Sequence, residues 1–270
     1  MNLYLGVDGG QSGTTAVIGD ESGRVLGTGE AGPCNHATAE EGRAKLERAV
    51  SRSVAEACAQ AALDPAGVRF EAACFGMSGG PEDKEAILAA ILPADRLVVT
   101  TDAITALAGA TANGQGIITI AGTGSIAFGR NAEGCTARAG GWGYIFGDEG
   151  GAFDIARQAL RAILRMDEGW GPPTNLRSLL LDATGSRNAN EALHRFYTPD
   201  WPRSRVATLA PLVDGAAVEG DPVATQILNN AAQELATLAA SVRGQLWASG
   251  NQSLHNNPYG KLPQGCYPQG

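Results

Sequence analysis

Four clusters of residues in this chain have the types and spacing that phosphate and hydroxyl chemistry requires. The first, Asp8-Gly9-Gly10-Gln11-Ser12-Gly13-Thr14, lies between two apolar segments. Its glycines let backbone N–H groups approach phosphate oxygens, and Ser12 and Thr14 add hydroxyl donors. Asp8, at a strand end, can hold Mg2+ through water, because magnesium keeps much of its hydration shell. An ordinary glycine hairpin explains the same residues about as well. The cluster is not a Walker loop, since it has no Gly-Lys-Ser/Thr, and not a Rossmann turn, since a strand rather than a helix follows. The second cluster, Ala121-Gly122-Thr123-Gly124-Ser125, is again a glycine turn between strands. Two such turns could clamp a triphosphate from both sides, and the pairing is more specific than either turn alone.

The third cluster is Thr100-Thr101-Asp102-Ala103. Asp102 is expected at the carboxyl end of a strand and at the start of a helix, where ligands of open α/β sheets collect. A carboxylate there can take a proton from a substrate hydroxyl. On position alone, however, it reads first as a helix cap. The fourth cluster runs Gly140-Gly141-Trp142-Gly143-Tyr144-Ile145-Phe146-Gly147-Asp148-Glu149-Gly150-Gly151. A glycine-dense aromatic loop with an acidic pair ahead of a helix suits carbohydrate recognition. Carboxylates accept ring hydroxyl protons, while Trp142 or the loop backbone covers an apolar face. The plainer alternative is a rigid loop whose Asp148 and Glu149 favour the helix dipole. So many glycines without a structural need would be costly, which tilts the loop toward function.

The elements that must position these clusters follow from hydrophobic period. Leu3–Val7, Ala16–Ile18 and Arg24–Gly29 read as a three-strand antiparallel meander. Apolar steps of three and four predict a helix from Ala39 to Ala62, followed by a strand at Phe70–Gly76, a helix at Glu82–Leu92 and a strand at Leu97–Thr101. Strands alternating with helices imply parallel crossovers. After a helix at Ala103–Ala112 the strand–glycine turn–strand pattern begins again with Gly116–Ile120 and Ile126–Arg130, which suggests two related lobes. A strong helix is expected at Gly151–Met166, weaker ones at Asn190–Tyr197 and Val206–Val218, and a long one from Pro222 to about Leu246 with Asp221 as its cap. The lobes are placed at residues 1–111 and 112–249. Residues 250–270 have almost no aliphatics or charge and are expected to be a disordered tail.

Composition narrows the partners. The 270 residues carry a formal charge of −8, which argues against nucleic acid and polybasic membrane binding and leaves a small anionic ligand open. No apolar run reaches the roughly 18 residues of a membrane span. Five scattered cysteines without a CxxC disfavour a disulfide framework or zinc site and suggest a reducing cytoplasm.

The ordered motifs DGGQSGTT, GMSGG, TTDA, IAGTGS and GGWGYIFGDEGG resemble the N-acetylglucosamine kinase family, grouped with the BadF/BadG/BcrA/BcrD ATPases in the actin, hexokinase and heat-shock-protein ATPase superfamily. The resemblance covers about residues 3–249. It implies an α/β protein of two ribonuclease-H-like lobes with ATP and sugar in a central cleft, acting as an ATP- and Mg2+-dependent kinase of an amino sugar 6-hydroxyl. Homodimers are common in the family. By resemblance Asp8, Gly9, Gly10, Gln11, Ser12 and Thr14 form the first phosphate loop, and Gly122, Thr123, Gly124 and Ser125 the second. Asp8 lies near Mg2+ and Asp102 is the catalytic base. Asn35, Ser78, Gly141, Trp142, Gly143 and Asp148 contact sugar, and His36 follows Asn35 as a packing residue. Relatives continue past the long helix into a strand and a Gly-Gly-Val turn beside the adenosine. Here Trp247-Ala248-Ser249-Gly250 departs from that pattern, so the C-terminal end is expected to be truncated or altered. Two other readings stand beside the kinase. One is an activating ATPase of acyl-CoA dehydratases or reductases, whose relatives bridge subunits with an iron–sulfur cluster. The other is a sugar-binding pseudokinase.

Overall fold

Burial alternates along Leu3–Gly9: Leu5, Val7 and Gly9 are buried, while Tyr4, Gly6 and Asp8 are exposed. This period of two is that of a strand with one face on a core. The computed structural model describes residues 2–34, 40–78 and 84–247, and the chain divides into two units between Ala110 and Thr111. In the first unit, β1 (Leu3–Gly9), β2 (Thr14–Asp20) and β3 (Val25–Ala31) form the expected antiparallel meander. β4 (Phe70–Met77) and β5 (Ala94–Thr101) then add in parallel, giving the order β3-β2-β1-β4-β5 of a ribonuclease-H-like sheet.

Among its described residues this unit also holds three helices: α1 (Glu40–Gln60), α2 (Glu85–Ile91) and α3 (Asp102–Ala110). Leu46, Val50 and Val54 of α1 bury their side chains with Ile18, Phe70 and Phe75 of the sheet. A side chain at Gly27 or Gly29 of β3 would strike the carbonyl of Ala57 or Ser53, so α1 lies directly on that strand.

The second unit holds an antiparallel sheet of β6 (Gly116–Ala121), β7 (Ser125–Arg130) and β8 (Thr136–Gly140), the only strands among its described residues. Its helices are α4 (Ala152–Asp167), α5 (Leu176–Thr184), α6 (Ala189–Arg195), α7 (Arg203–Ala207), α8 (Ala210–Val218) and α9 (Pro222–Trp247). Leu238, Val242 and Leu246 of α9 cover Ala127 and Ala137 of the sheet. Ala156, Leu160 and Ile163 of α4 form a second core with Leu176, Leu180, Val206 and Val213.

Three elements depart from the sequence expectations. β8 escaped notice because Thr-Ala-Arg-Ala-Gly lacks the β-branched alternation that marks a strand. α5 did so because it is only nine residues long. The helix expected over Val206–Val218 is two, since Pro211 has no N–H and is tolerated only in a first turn, which makes α8 a fresh start. The stretch 250–270 lies outside the described residues. Among the described residues no helix is long and apolar enough to cross a membrane.

Asp221 caps α9 as expected and does more. Its Oδ1 accepts from the N–H groups of Val223 and Ala224, both at 2.9 Å. Its Oδ2 accepts from the Thr174 hydroxyl at 2.8 Å and the Asn175 N–H at 2.6 Å, which ties the start of α5 to that of α9. Burial pushes this carboxyl up, but the four donors outweigh it and hold it below the usual carboxylate range. The lowered value means that its contribution is present above the unfolded carboxyl pKa and is lost as pH falls through the folded one. Asp221→Ala is therefore expected to destabilise the second unit by about 2 kcal/mol or more near neutral pH. The gap to wild type should close in acid, and thermal unfolding followed from pH 7 to pH 3 checks both statements.

Candidate active site

Parallel register builds the first half of the site. Asp8 pairs with Gly76 and Gly76 with Thr100, so β1, β4 and β5 all end on one edge of the sheet. Ser78 leaves β4 at that edge and its N–H donates to the Gly9 carbonyl at 2.9 Å. Asp102 follows β5 directly and is the first residue of α3. The helix is seated by Gly76, where Thr105 occupies the space that a Cβ would need. Thr105 also donates its hydroxyl to the Asp102 carbonyl at 2.9 Å.

The capping alternative for Asp102 can now be weighed. The hydroxyl of Thr101 accepts from the Ile104 N–H, three residues on, at 3.4 Å, which is the geometry of an N-cap. Among the described residues, Asp102 Oδ1 accepts only from the adjoining Ala103 N–H at 2.8 Å. No hydrogen bond from the described residues reaches Oδ2. Asp8, though exposed, has its carboxyl raised above the usual range, first by loss of surrounding water and then by the negative charge of Asp102. Two repelling oxygen donors on one edge suit a divalent cation that retains most of its water, and magnesium is bound in that way through one or two carboxylates and substrate phosphates.

The first glycine turn is tight, with the Gly10 N–H donating to the Gly13 carbonyl at 2.8 Å. The N–H groups of Gln11 and Gly13 find no acceptor among the described residues, as an anion-binding turn requires. Thr14 departs from expectation. It is buried, and its hydroxyl donates to the Gly32 carbonyl at 2.8 Å, so it braces the turn from behind and has no proton left for a phosphate. Gly9 is also buried, because a side chain there would meet Met77 and the Cys34 sulfur. Burial pushes the Cys34 thiol up, while the Thr14 hydroxyl and the buried Lys84 ammonium pull it down. Lys84 is a buried cation that no sequence pattern marked. Asn35 and His36 lie outside the described residues.

In the second unit the Gly122–Ser125 turn sits on the start of α4. The carbonyls of Gly122 and Thr123 accept from the N–H groups of Ala152 and Phe153 at 2.8 and 3.1 Å. A Cβ on Gly151 would lie 2.7 Å from the backbone of Gly124, which explains the paired glycines ahead of the helix. The Ser125 hydroxyl donates to the Glu149 carbonyl at 2.6 Å. Gly140, Gly141, Gly143 and Gly150 all have positive φ, so the glycine density of the aromatic loop has the structural need that sequence alone did not reveal. Trp142 keeps about half its surface exposed, with the Arg138 guanidinium 4.8 Å from its ring centre.

Asp148 is only 5% exposed and has φ of +64°, a conformation unusual for any residue but glycine. Its Oδ2 accepts from Arg203 at 3.0 Å, and its carboxylate stands where a Cβ on Gly124 would be. Arg203 was not singled out in the sequence, and nothing there flags it, since 55 residues separate the pair.

Comparison with known proteins gives a consistent set of relatives. A family model described as the BadF/BadG/BcrA/BcrD ATPase family matches residues 5–254. The chain is 34% identical over 242 residues to an N-acetylmuramic acid/N-acetylglucosamine kinase of Clostridium acetobutylicum, covering 87% of this chain and 77% of that protein. It is 31% identical over 256 residues to an N-acetyl-D-glucosamine kinase of Dictyostelium discoideum, covering 89% and 79%. A Chromobacterium violaceum crystal structure, provisionally named an N-acetylglucosamine kinase, superposes with a TM-score of 0.78 at 29% identity, covering 91% of this chain and 84% of that one.

The raised carboxyl of Asp8 has a measurable consequence. It binds its proton more tightly folded than unfolded, so the folded state loses stability as pH rises through the titration. Without added metal, Asp8→Asn is expected to melt about 1–3 °C above wild type at pH 8, a small gain because Asp8 is exposed and screened. The two curves should converge near pH 4, and magnesium should stabilise only the wild type. Melting at several pH values with and without magnesium provides the check.

Proposed function

Since the chain belongs to the BadF/BadG/BcrA/BcrD ATPase family, we propose that it transfers the γ-phosphoryl group of ATP to the 6-hydroxyl of N-acetylglucosamine. Its α/β fold is that of the actin-like ATPases. The observation that carries the reading is the Asp102 carboxylate. Thr101 takes the capping role, and Oδ2 of Asp102 is left at the carboxyl edge of β1, β4 and β5 with no donor among the described residues. An oxygen so placed can accept the proton of a sugar hydroxyl as that hydroxyl attacks phosphorus.

The remaining residues position and neutralise charge, which is most of what this reaction asks of a protein. The amides of the turn after Asp8, with the Ser12 hydroxyl, take the phosphate oxygens on the first unit, and the Gly122–Ser125 turn does so on the second. Asp8 would hold a hydrated Mg2+, which supplies charge neutralisation to the phosphates when bound. Ser78, the backbone of Gly141 and Gly143, and Trp142 are assigned to the sugar, together with Asn35, whereas the Asp148 carboxylate expected there is buried between Arg203 and Gly124. Reliance on ATP suits the cytoplasm.

The relatives' names support an amino sugar as acceptor. The iron–sulfur activator reading gains nothing from the cysteines. Cys34, Cys58 and Cys74 lie after β3, in α1 and in β4, and among the described residues no group of His, Cys, Asp or Glu is gathered to hold a metal.

The test is sugar-dependent ADP release with Mg-ATP across N-acetylglucosamine, N-acetylmuramic acid, glucosamine and glucose. Selective turnover with N-acetylglucosamine is expected, with phosphate at the 6-position by NMR. Asp102→Asn should lower kcat by about 10²–10⁴ with sugar binding retained. Sugar binding without turnover in the wild type would overturn the kinase reading in favour of a pseudokinase.

A further inference from the structure

We propose that Arg203 is a positioning residue that locks Asp148 against Gly124 and thereby fixes the Gly122–Ser125 turn. The inference deepens the phosphoryl-transfer reading and rests on it for the role given to that turn.

A residue other than glycine with positive φ persists only where its surroundings over-determine it, and Asp148 is held from three directions. Its carboxylate is ion-paired to Arg203 at 3.0 Å, pressed against Gly124 and nearly closed to solvent. Arg203 is held in turn. Its guanidinium carbon lies 4.6 Å from the ring centre of Tyr144 and 5.5 Å from that of Phe153, and those two rings pack edge to face. Its Nε is buried with no hydrogen-bond partner among the described residues, so the rings and the single carboxylate set its position.

Phe153 closes the circuit, because its N–H donates to the Thr123 carbonyl at 3.1 Å. Arg203, Asp148, Gly124, Thr123 and Phe153 thus form a ring of contacts that joins α7, the aromatic loop, the glycine turn and the start of α4. Every link lies within the second unit. A planar cation stacked on rings and paired to a carboxylate is a task for arginine, which lysine performs poorly. A turn meant to meet phosphate must hold its amides still before the ligand arrives, and the circuit supplies that rigidity.

Hydrogen exchange on the full chain reads the proposal without requiring activity. Arg203→Met should speed exchange at the amides of Gly122–Ser125 by about tenfold or more, leaving α9 unchanged. Arg203→Lys should give a smaller acceleration. Ethylguanidinium added to Arg203→Ala should restore protection by refilling the slot beside Tyr144 and Phe153. Gly124→Ala serves as a second variant that keeps Arg203 but displaces the Asp148 carboxylate. It should speed exchange in Arg203–Ala207 as well as in the turn. In kinetics, Arg203→Met should lower kcat by about tenfold or more with the KM for sugar changed less than threefold, as loss of a positioning contact in the transition state predicts. Unchanged exchange at Gly122–Ser125, or acceleration spread equally into α9, would overturn the proposal. If wild type itself shows no turnover, the kinase reading fails while the exchange data still decide the role of Arg203.

Discussion

Two carboxylates share one sheet edge, where loss of water first and the charge of Asp102 second raise the Asp8 carboxyl. Asp8 and Asp102 are brought together by parallel register between β1, β4 and β5, which no local change in sequence can relax without slipping a strand. The fold accepts a raised carboxyl at Asp8 because Leu5, Val7 and Gly9 on the other face of the same strand are buried in a well-packed core. Ligand chemistry is thereby separated from structural chemistry within a single strand, alternate residues serving each. Gly76 and Thr105 carry the same division into α3, where close backbone approach sets the position of the carboxylate that follows β5.

The second unit handles anions differently. The N–H groups of Ala152 and Phe153 at the start of α4 are already engaged by the carbonyls of the glycine turn. The helix terminus that would ordinarily attract a phosphate therefore serves as an anchor for the turn, whose Gly122 N–H is itself taken by the Gly124 carbonyl. The close backbone contact of Gly124 and Gly151 makes this docking possible, and the buried carboxylate of Asp148 fills the side-chain volume that the turn lacks.

Much of this was legible in the sequence, for reasons that can be named. The meander, the parallel strands and Asp221 as cap of α9 follow from period and capping rules that act within a few residues. Asp102 at the end of a strand followed from the same rules, but its release from capping did not, because that depended on which neighbouring oxygen reached the Ile104 amide. The direction of the Thr14 hydroxyl is not legible, because a hydroxyl in a glycine loop gives no sign of whether it faces solvent or, as here, the Gly32 carbonyl. The glycines of the aromatic loop were credited to function, although positive φ at four of them is reason enough. Arg203 and Lys84 went unseen because their significance arises only from long-range packing.

The mixed sheet also imposes an order on assembly. β1, β2 and β3 join through turns of a few residues, whereas pairing β1 with β4 must close the chain from Tyr4 to Ala72 before any hydrogen bond compensates the lost entropy. β5 can add only beside β4, and it alone delivers Asp102. The meander thus gains its pairing while Asp8 is still surrounded by water and has no like charge beside it. The like charges come together only once the β1–β4 and β4–β5 pairings are both made.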